Sequence, residues 1–206
     1  MIKAIIFDFG NVFINLDIEG ALEYALSKFD IDFFSEEIIA FNNLYEQGLI
    51  STNEFIAFYT ENFPKLSKEE LIKVWNFILK DFPIERLNFL KQLQTDAKYK
   101  LVLLSNTNEL HIDWIKEHIP YYESFKNCFD AFYLSHEIHL RKPNKNIFDL
   151  VLNENNLKAN ECIFIDDNKD NIKTASSIGI KTWYINPKTE DVINLFKTKE
   201  HLFDSI

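Results

Sequence analysis

Four short apolar runs in this sequence each end in groups that can do chemistry. Asp8 follows "AIIF", Ser105 and Asn106 follow "LVLL", Arg141, Lys142 and Pro143 come just after "AFYLSHEI", and Asp166 and Asp167 follow "CIFI". Gathered in one place, they would supply three carboxylates, a hydroxyl, an ammonium group and free backbone N–H groups. Crowded carboxylates raise one another's pKa unless a hard cation sits among them. Magnesium suits such a set, because it takes one or two carboxylates, backbone carbonyls, waters and substrate phosphate oxygens. A phosphoryl group held there can be attacked by one carboxylate to give an aspartyl-phosphate, which water then hydrolyses. Lys142 would neutralise the remaining phosphate oxygens, while Ser105 and the N–H of Asn106 would hydrogen-bond them.

Bringing these groups together requires a sheet whose strands end side by side. "KAIIFDF" is a continuous apolar run without alternation, the pattern of a parallel strand covered on both faces. After the helix "IERLNFLKQLQ", the strands "KLVLLSN", "AFYLSHE", "CIFIDDN" and "KTWYIN" alternate with segments of helical period such as "ELHIDWIKEHI" and "KNIFDLVLNENN". That alternation predicts a mostly parallel α/β sheet with helices on both faces. In such open sheets ligands bind beyond the carboxyl ends of the strands, where all four polar groups fall. Between the first strand and the rest lie four helical segments, "DIEGALEYALSKF", "SEEIIAFNNLYEQG", "STNEFIAFYTENF" and "SKEELIKVWNFILKDF". "SKEE" at Ser67 to Glu70 fits a capping box, and Gly48 and Pro64 punctuate helix ends. The expected organisation is an α/β core from residues 1–15 and 84–206, interrupted by a small helical bundle over 16–83.

Bulk properties narrow the function classes. A chain of 206 residues is long enough for one sizeable core with a small appended unit, and 20 Phe against 4 Gly make that core aromatic. The formal net charge of −10 would repel a phosphate backbone, which argues against a nucleic-acid partner. Cys128 and Cys162 lack metal or redox spacing and read as buried, reduced thiols. With no apolar stretch approaching a membrane span and no secretory leader, the expected setting is cytoplasmic, away from membranes.

The ordered motifs "IIFDFGNV", "LLSNT", "RKP" and "FIDDNKDN" resemble those of the haloacid dehalogenase-like (HAD) superfamily, and the resemblance covers nearly the whole chain. The helical insertion resembles the type I cap of that superfamily, "EQGLISTNEF" being similar to a segment common in those caps. The nearest resemblance is to the branch of small sugar-phosphate phosphatases typified by α-D-glucose-1-phosphate phosphatase. It implies a Rossmann-like fold, magnesium, and hydrolysis of a small phosphorylated metabolite, a sugar phosphate, by a monomer or homodimer. On the residues, it implies Asp8 as nucleophile and metal ligand, the backbone carbonyl of Gly10 and Asp167 as metal ligands, and Asp166 as a further ligand or a partner through water. Asp170 and Asn171 would orient these groups.

Gly10 departs from the pattern, since most phosphatases of the superfamily carry there an aspartate that acts as general acid and base. Such help is worth roughly a hundred- to ten-thousand-fold in rate, and its loss weighs most on poor leaving groups. A sugar 1-phosphate or an acyl phosphate would tolerate it better, and Asp17 or a bound water could supply the proton. A non-catalytic phosphometabolite-binding protein that lost turnover with its acid is the alternative. A phosphosugar mutase would normally need that acid, and a phosphoreceiver domain has the acidic pair early and the acceptor Asp in mid-chain, the reverse of the order here. Substrate choice would fall to cap side chains, with Asn42, Asn43, Tyr45, Glu46 and Gln47 as candidates. Phe55, Phe58, Tyr59, Trp75 and Phe77 read as cap core, and His111 and His118 as surface residues.

Overall fold

The computed structural model describes residues 1–203. The chain runs β1 (Ala4–Phe7), α1 (Ile18–Phe29), α2 (Glu36–Glu46), α3 (Thr52–Asn62), α4 (Lys68–Asn76), α5 (Ile84–Asp96), β2 (Lys100–Ser105), α6 (Glu109–His118) and α7 (Tyr122–Lys126). It continues through β3 (Ala131–Leu134), α8 (Ser135–Ile138), α9 (Lys145–Glu154), β4 (Cys162–Asp166), α10 (Lys169–Ser177), β5 (Lys181–Tyr184) and α11 (Leu195–Thr198). All five strands are parallel, in the order β3-β2-β1-β4-β5. The fold is α/β and Rossmann-like. β1 lies at the centre, so the four strands that end in polar groups are neighbours.

Register turns sequence into two cores. Ile5 and Phe7 pair with Leu101, Leu103, Ile163 and Ile165, and these point to one face, beneath α5 and α6. Ala4, Ile6, Val102, Leu104, Cys162 and Phe164 point to the other, beneath α9 and α10. The period of two thus buries alternate residues on opposite faces of one sheet, and both cysteines are free and buried. Phe7, Phe9, Phe13, Phe82 and Phe125 stack or meet edge-on under the loop that follows β1, with centroids 4.9–6.2 Å apart, each close pair adding to what burial alone supplies.

The four inserted helices are closed by their own caps. Asp17, Ser35, Ser51 and Ser67 each accept a hydrogen bond from an N–H of the first turn, and Ser51 and Ser67 both form full capping boxes. Ala25, Phe29, Phe55, Tyr59, Leu71 and Val74 bury one another, and Leu110 of α6 completes this third cluster. The last helix is shorter than "SKEELIKVWNFILKDF" predicts. It stops at Asn76, and the chain returns extended, Leu79 bridging antiparallel to Leu16. Asn15, Asp17, Ile78, Lys80 and Asp81 exchange backbone bonds of 2.9–3.0 Å across this two-stranded connection. Pairing with the outgoing linker supplies partners for N–H and C=O groups that another helical turn would have used internally. Among the described residues no helix is long and apolar enough to cross a membrane.

Candidate active site

The carboxyl edge of the sheet brings Asp8, Asp166 and Asp167 together, with one oxygen from each within 4.8 Å of the others. Lys142 arrives from beyond β3. Its Nζ lies 2.8 Å from Asp8 Oδ1 and 2.7 Å from Asp166 Oδ2, and its side chain is fully buried. A buried ammonium is tolerable only when it is paired and its protons are used. Burial alone would lower the Lys142 pKa, but Asp166 and Asp8 outweigh it and hold the group charged.

Asp166 spends its whole acceptor capacity within the protein. Oδ2 accepts from Lys142 and from Asn171 Nδ2 at 2.9 Å; Oδ1 accepts from the Asn168 N–H at 2.7 Å and again from Asn171 at 3.2 Å. These four contacts fill the four lone-pair sites of a carboxylate. Asp8 and Asp167 differ, each having one oxygen that no other described residue hydrogen-bonds. Burial pushes the Asp8 carboxyl up to about 7 against the pull of Lys142, with Asp166 and Asp167 adding to the rise. Asp167 is raised as well, by burial first, and an Asn11 hydrogen bond offsets part of that. Two half-used, destabilised carboxylates beside each other are the donor set that a small hard cation satisfies, returning both to the charged form.

The loop after β1 shapes the rest. Asn11 takes the left-handed conformation (φ 54°), which Asn adopts more readily than most residues. Its buried amide donates to Asp167 Oδ2 at 2.8 Å while its carbonyl oxygen accepts from the Leu16 N–H at 3.0 Å. The turn bends the chain back so that Gly10 bridges Ile14 and Leu16 folds over Gly10. A Cβ at Gly10 would sit 2.6 Å from Leu16 Cδ1, so the space an acid would need is taken by an aliphatic side chain. Asp17 lines the same cleft, of about 540 Å3, as Asn11 and Asp167. Its carboxylate is already used by the Gly20 N–H at 2.9 Å and by Lys80 at 3.4 Å.

Ser105 is buried at the end of β2. Asn106 grips the lysine loop from two sides: its Oδ1 accepts from the Lys142 N–H at 2.9 Å and its Nδ2 donates to the Lys142 carbonyl at 2.8 Å. Asp170 is exposed, with its N–H capped by Asn168, and takes no part in the cluster, whereas Asn171 does. Of the residues the sequence reading left aside, Asn11 is the most involved. An Asn directly after a glycine, at the end of a strand, was the available sign of a left-handed turn.

The inserted helices meet the core along a seam near Lys142. Arg141 pairs with Glu46 at 2.9 Å, and the Ser135 hydroxyl donates to the Glu46 carbonyl at 2.5 Å. Gly48 (φ 63°) passes so close to the backbone of His136 that a Cβ there would lie 2.0 Å from its carbonyl oxygen, which leaves room only for glycine. His111 is not the surface residue its spacing suggests, because its ring stacks on Trp75 with centroids 5.7 Å apart. Asn108 Oδ1 accepts from both Trp75 Nε1 and the His111 N–H, so its Nδ2 must be the donor to His111 Nδ1. The imidazole proton then sits on Nε2 and faces the Trp75 carbonyl at 3.2 Å. Burial lowers His111 to about 4, in keeping with a neutral ring. Of the aromatic residues expected in the inserted bundle's interior, Phe55 and Tyr59 are buried there, Phe58 and Trp75 pack half-buried against them, with Trp75 also lining a cavity, and Phe77 is 37% exposed.

Known proteins resemble this chain in sequence and in fold. The chain is 28% identical over 194 residues to a D-ribitol-5-phosphate phosphatase of Bacteroides thetaiotaomicron, spanning 89% of this chain and 91% of that protein. A HAD family enzyme of the same organism, solved as a magnesium complex, superposes with a TM-score of 0.83 at 34% identity, covering 96% of this chain and 99% of its own. A HAD-like hydrolase from Porphyromonas gingivalis superposes with a TM-score of 0.82 at 26% identity over the full length of both. The haloacid dehalogenase-like hydrolase family matches from residue 2 to residue 179, a span that includes β1, Lys142 and the Asp166-Asp167 loop, and the chain belongs to that family.

Proposed function

We propose that the protein is a magnesium-dependent phosphatase that hydrolyses a small phosphorylated metabolite of the sugar-phosphate class through an aspartyl-phosphate on Asp8. The observation that carries this reading is the division of labour among the carboxylates: Asp166 is saturated by protein donors, while Asp8 and Asp167 each keep an oxygen free. The activity of the 28%-identical relative supports the substrate class. Residues 16–83 read as the cap over this site.

In this reading Asp8, Asp167 and the Gly10 carbonyl hold magnesium, which supplies charge neutralisation for the phosphoryl oxygens when bound. Asp166 is a positioning residue, fixing Lys142. A carboxylate oxygen of Asp8 attacks phosphorus, the bond from phosphorus to the alcohol oxygen breaks, and the alcohol leaves with a proton from water or Asp17. A water then attacks phosphorus, the bond to Asp8 breaks, and inorganic phosphate departs with the carboxylate restored. Lys142, Ser105 and the Asn106 N–H steady the equatorial oxygens. A phosphometabolite-binding protein without turnover is the second reading, favoured by the filled space beside Gly10.

Magnesium-dependent phosphate release from sugar phosphates, sugar 1-phosphates and acetyl phosphate tests both readings, with Asp8→Asn alongside. Turnover that disappears in the variant and without magnesium supports the phosphatase. Magnesium binding to folded protein without release from any compound supports the second. If Asp17→Asn keeps full turnover on the poorest leaving group, the proton comes from water.

A further inference from the structure

A smaller cavity, of about 240 Å3, opens between α1, α2 and α4. Three features connect it to the segments that form the carboxyl edge of the sheet. Ile18 is a wall of both this cavity and the cleft that carries Asp167. Glu46, another wall, is paired with Arg141, the residue before Lys142. His111, a third, stands in the first turn of α6, the helix that follows Ser105.

The walls are mostly hydrocarbon, contributed by Ile18, Ala21 and Leu22 of α1, Val74 of α4 and Phe34 ahead of α2. Most of their polar atoms are spent, and those left over lie on α2. Trp75 Nε1 is committed to Asn108, both His111 nitrogens are engaged, and Arg141 holds one oxygen of Glu46. Asn42 Oδ1 accepts from the Tyr59 hydroxyl at 2.8 Å, while its Nδ2 has no partner among the described residues. Glu46 Oε1 is left without a partner among the described residues. Ile18 and Leu22, one helical turn apart, are 53% and 48% exposed, so an apolar group covering them would recover the cost of their hydration. A fully hydroxylated chain would not, because each hydroxyl buried there without a partner costs roughly five- to a hundredfold in affinity.

We propose that the alcohol of the substrate is a short, partly deoxygenated chain, with unsubstituted carbon against Ile18 and Leu22 and a hydroxyl given to Glu46; this rests on the reading of the protein as a phosphatase. The cavity lies below the roughly 300–1,000 Å3 of drug-sized sites, which suits an alcohol of about four to six carbons. The specificity follows from the absence of free donors and acceptors along α1, since a hydroxyl gains nothing there and loses its water.

The test compares kcat/KM for pentyl phosphate, 2-deoxyribose 5-phosphate and ribitol 5-phosphate on the wild type and on Leu22→Asn, with acetyl phosphate as a reference and Asp8→Asn as the blank. In the wild type both deoxygenated esters exceed ribitol 5-phosphate by about tenfold or more. Leu22→Asn, at a half-exposed position where folding is retained, cuts that preference severalfold. Asp8-dependent release from acetyl phosphate with ribitol 5-phosphate equal to or above the other esters overturns this inference and leaves the phosphatase reading standing. A preference unchanged in Leu22→Asn overturns the assignment of the cavity. No release from acetyl phosphate or any ester overturns the phosphatase reading, and this inference with it.

Discussion

The carboxyl edge of the sheet and the seam between α1–α4 and the core are built on opposite principles. At the edge, each buried charge is held from several directions: Lys142 by two carboxylates and by the side chain of Asn106 on its backbone, Asp166 by three separate donors. At the seam, single contacts are spread along the boundary and several are partly exposed: Glu46 with Arg141, Thr52 with Glu109, Tyr45 with the Leu110 N–H, His111 with Trp75, and the close pass of Gly48 over His136. Chemistry that depends on sub-ångström placement needs interlocked neighbours. A surface that must open for ligands is drawn from the less stable parts of a fold. Mutations at the edge should therefore cost more than mutations at the seam.

The largest effect belongs to Lys142→Met. Removing the ammonium leaves Asp166 and Asp8 facing each other in a buried space, and breaking a buried ion pair from one side costs about 3–5 kcal/mol. Denaturant unfolding should show that loss, and phosphate release should fall by more than about a hundredfold. A stability change under about 1 kcal/mol would mean that the edge is less interlocked than its geometry implies.

Asn11→Gly comes next. Glycine keeps the positive φ without strain but removes the amide that ties Asp167 to the Leu16 N–H. A buried donor left without a partner costs about 1–3 kcal/mol. Asp167 also loses the hydrogen bond that lowers its pKa, so magnesium affinity, measured by calorimetry, should weaken most at the acid end of the range. If affinity is unchanged while stability falls, Asn11 serves the turn alone.

Much of the edge was legible in the sequence because strand-end positions are local. A run such as "CIFI" followed by two acids fixes both a strand and where its polar groups emerge, and parallel pairing then makes neighbours of distant segments. The seam was less legible because its contacts cross between segments with no shared period. Nothing in the spacing of His111 marks a partner in Trp75, and the exit linker looked helical by its own pattern, its pairing with Leu16 being decided by tertiary contact. Leu16 over Gly10 is of the same kind. Both residues are plain in the sequence, but the turn at Asn11 decides that they meet.

Gly10→Asp sharpens the comparison at the border of the two regions. The new side chain meets Leu16 Cδ1, the movable end of an aliphatic group, so the expected loss is about 1–2 kcal/mol, less than for a clash with backbone. Leu16→Ala in the same chain should recover part of that loss, and thermal unfolding of the single and double variants measures the coupling. Additive effects would show that Leu16 does not hold the space.

A further effect of similar size is at the seam and depends on pH. His111 packs as a neutral ring with a pKa of about 4, below the ordinary value of 6.5. At pH above 6.5 neither the folded nor the unfolded chain carries that proton, and the contribution of the neutral ring to stability is complete. As the pH falls from 6.5 towards 4, the unfolded chain takes up the proton and the folded chain does not, so stability declines. Below 4 both carry it and no further loss comes from this group. The ring is not wholly shielded from solvent, so the decline should amount to roughly 1–2 kcal/mol. Asp8 and Asp167 work the other way: their folded pKa values are raised, and acid favours the folded state. Magnesium-loaded protein keeps those carboxylates charged and isolates the histidine. In that form His111→Gln should flatten the slope between pH 6.5 and 4 in thermal unfolding, and a slope identical to the wild type would assign the pH dependence to other groups, among them His136 of the same seam, which burial also lowers.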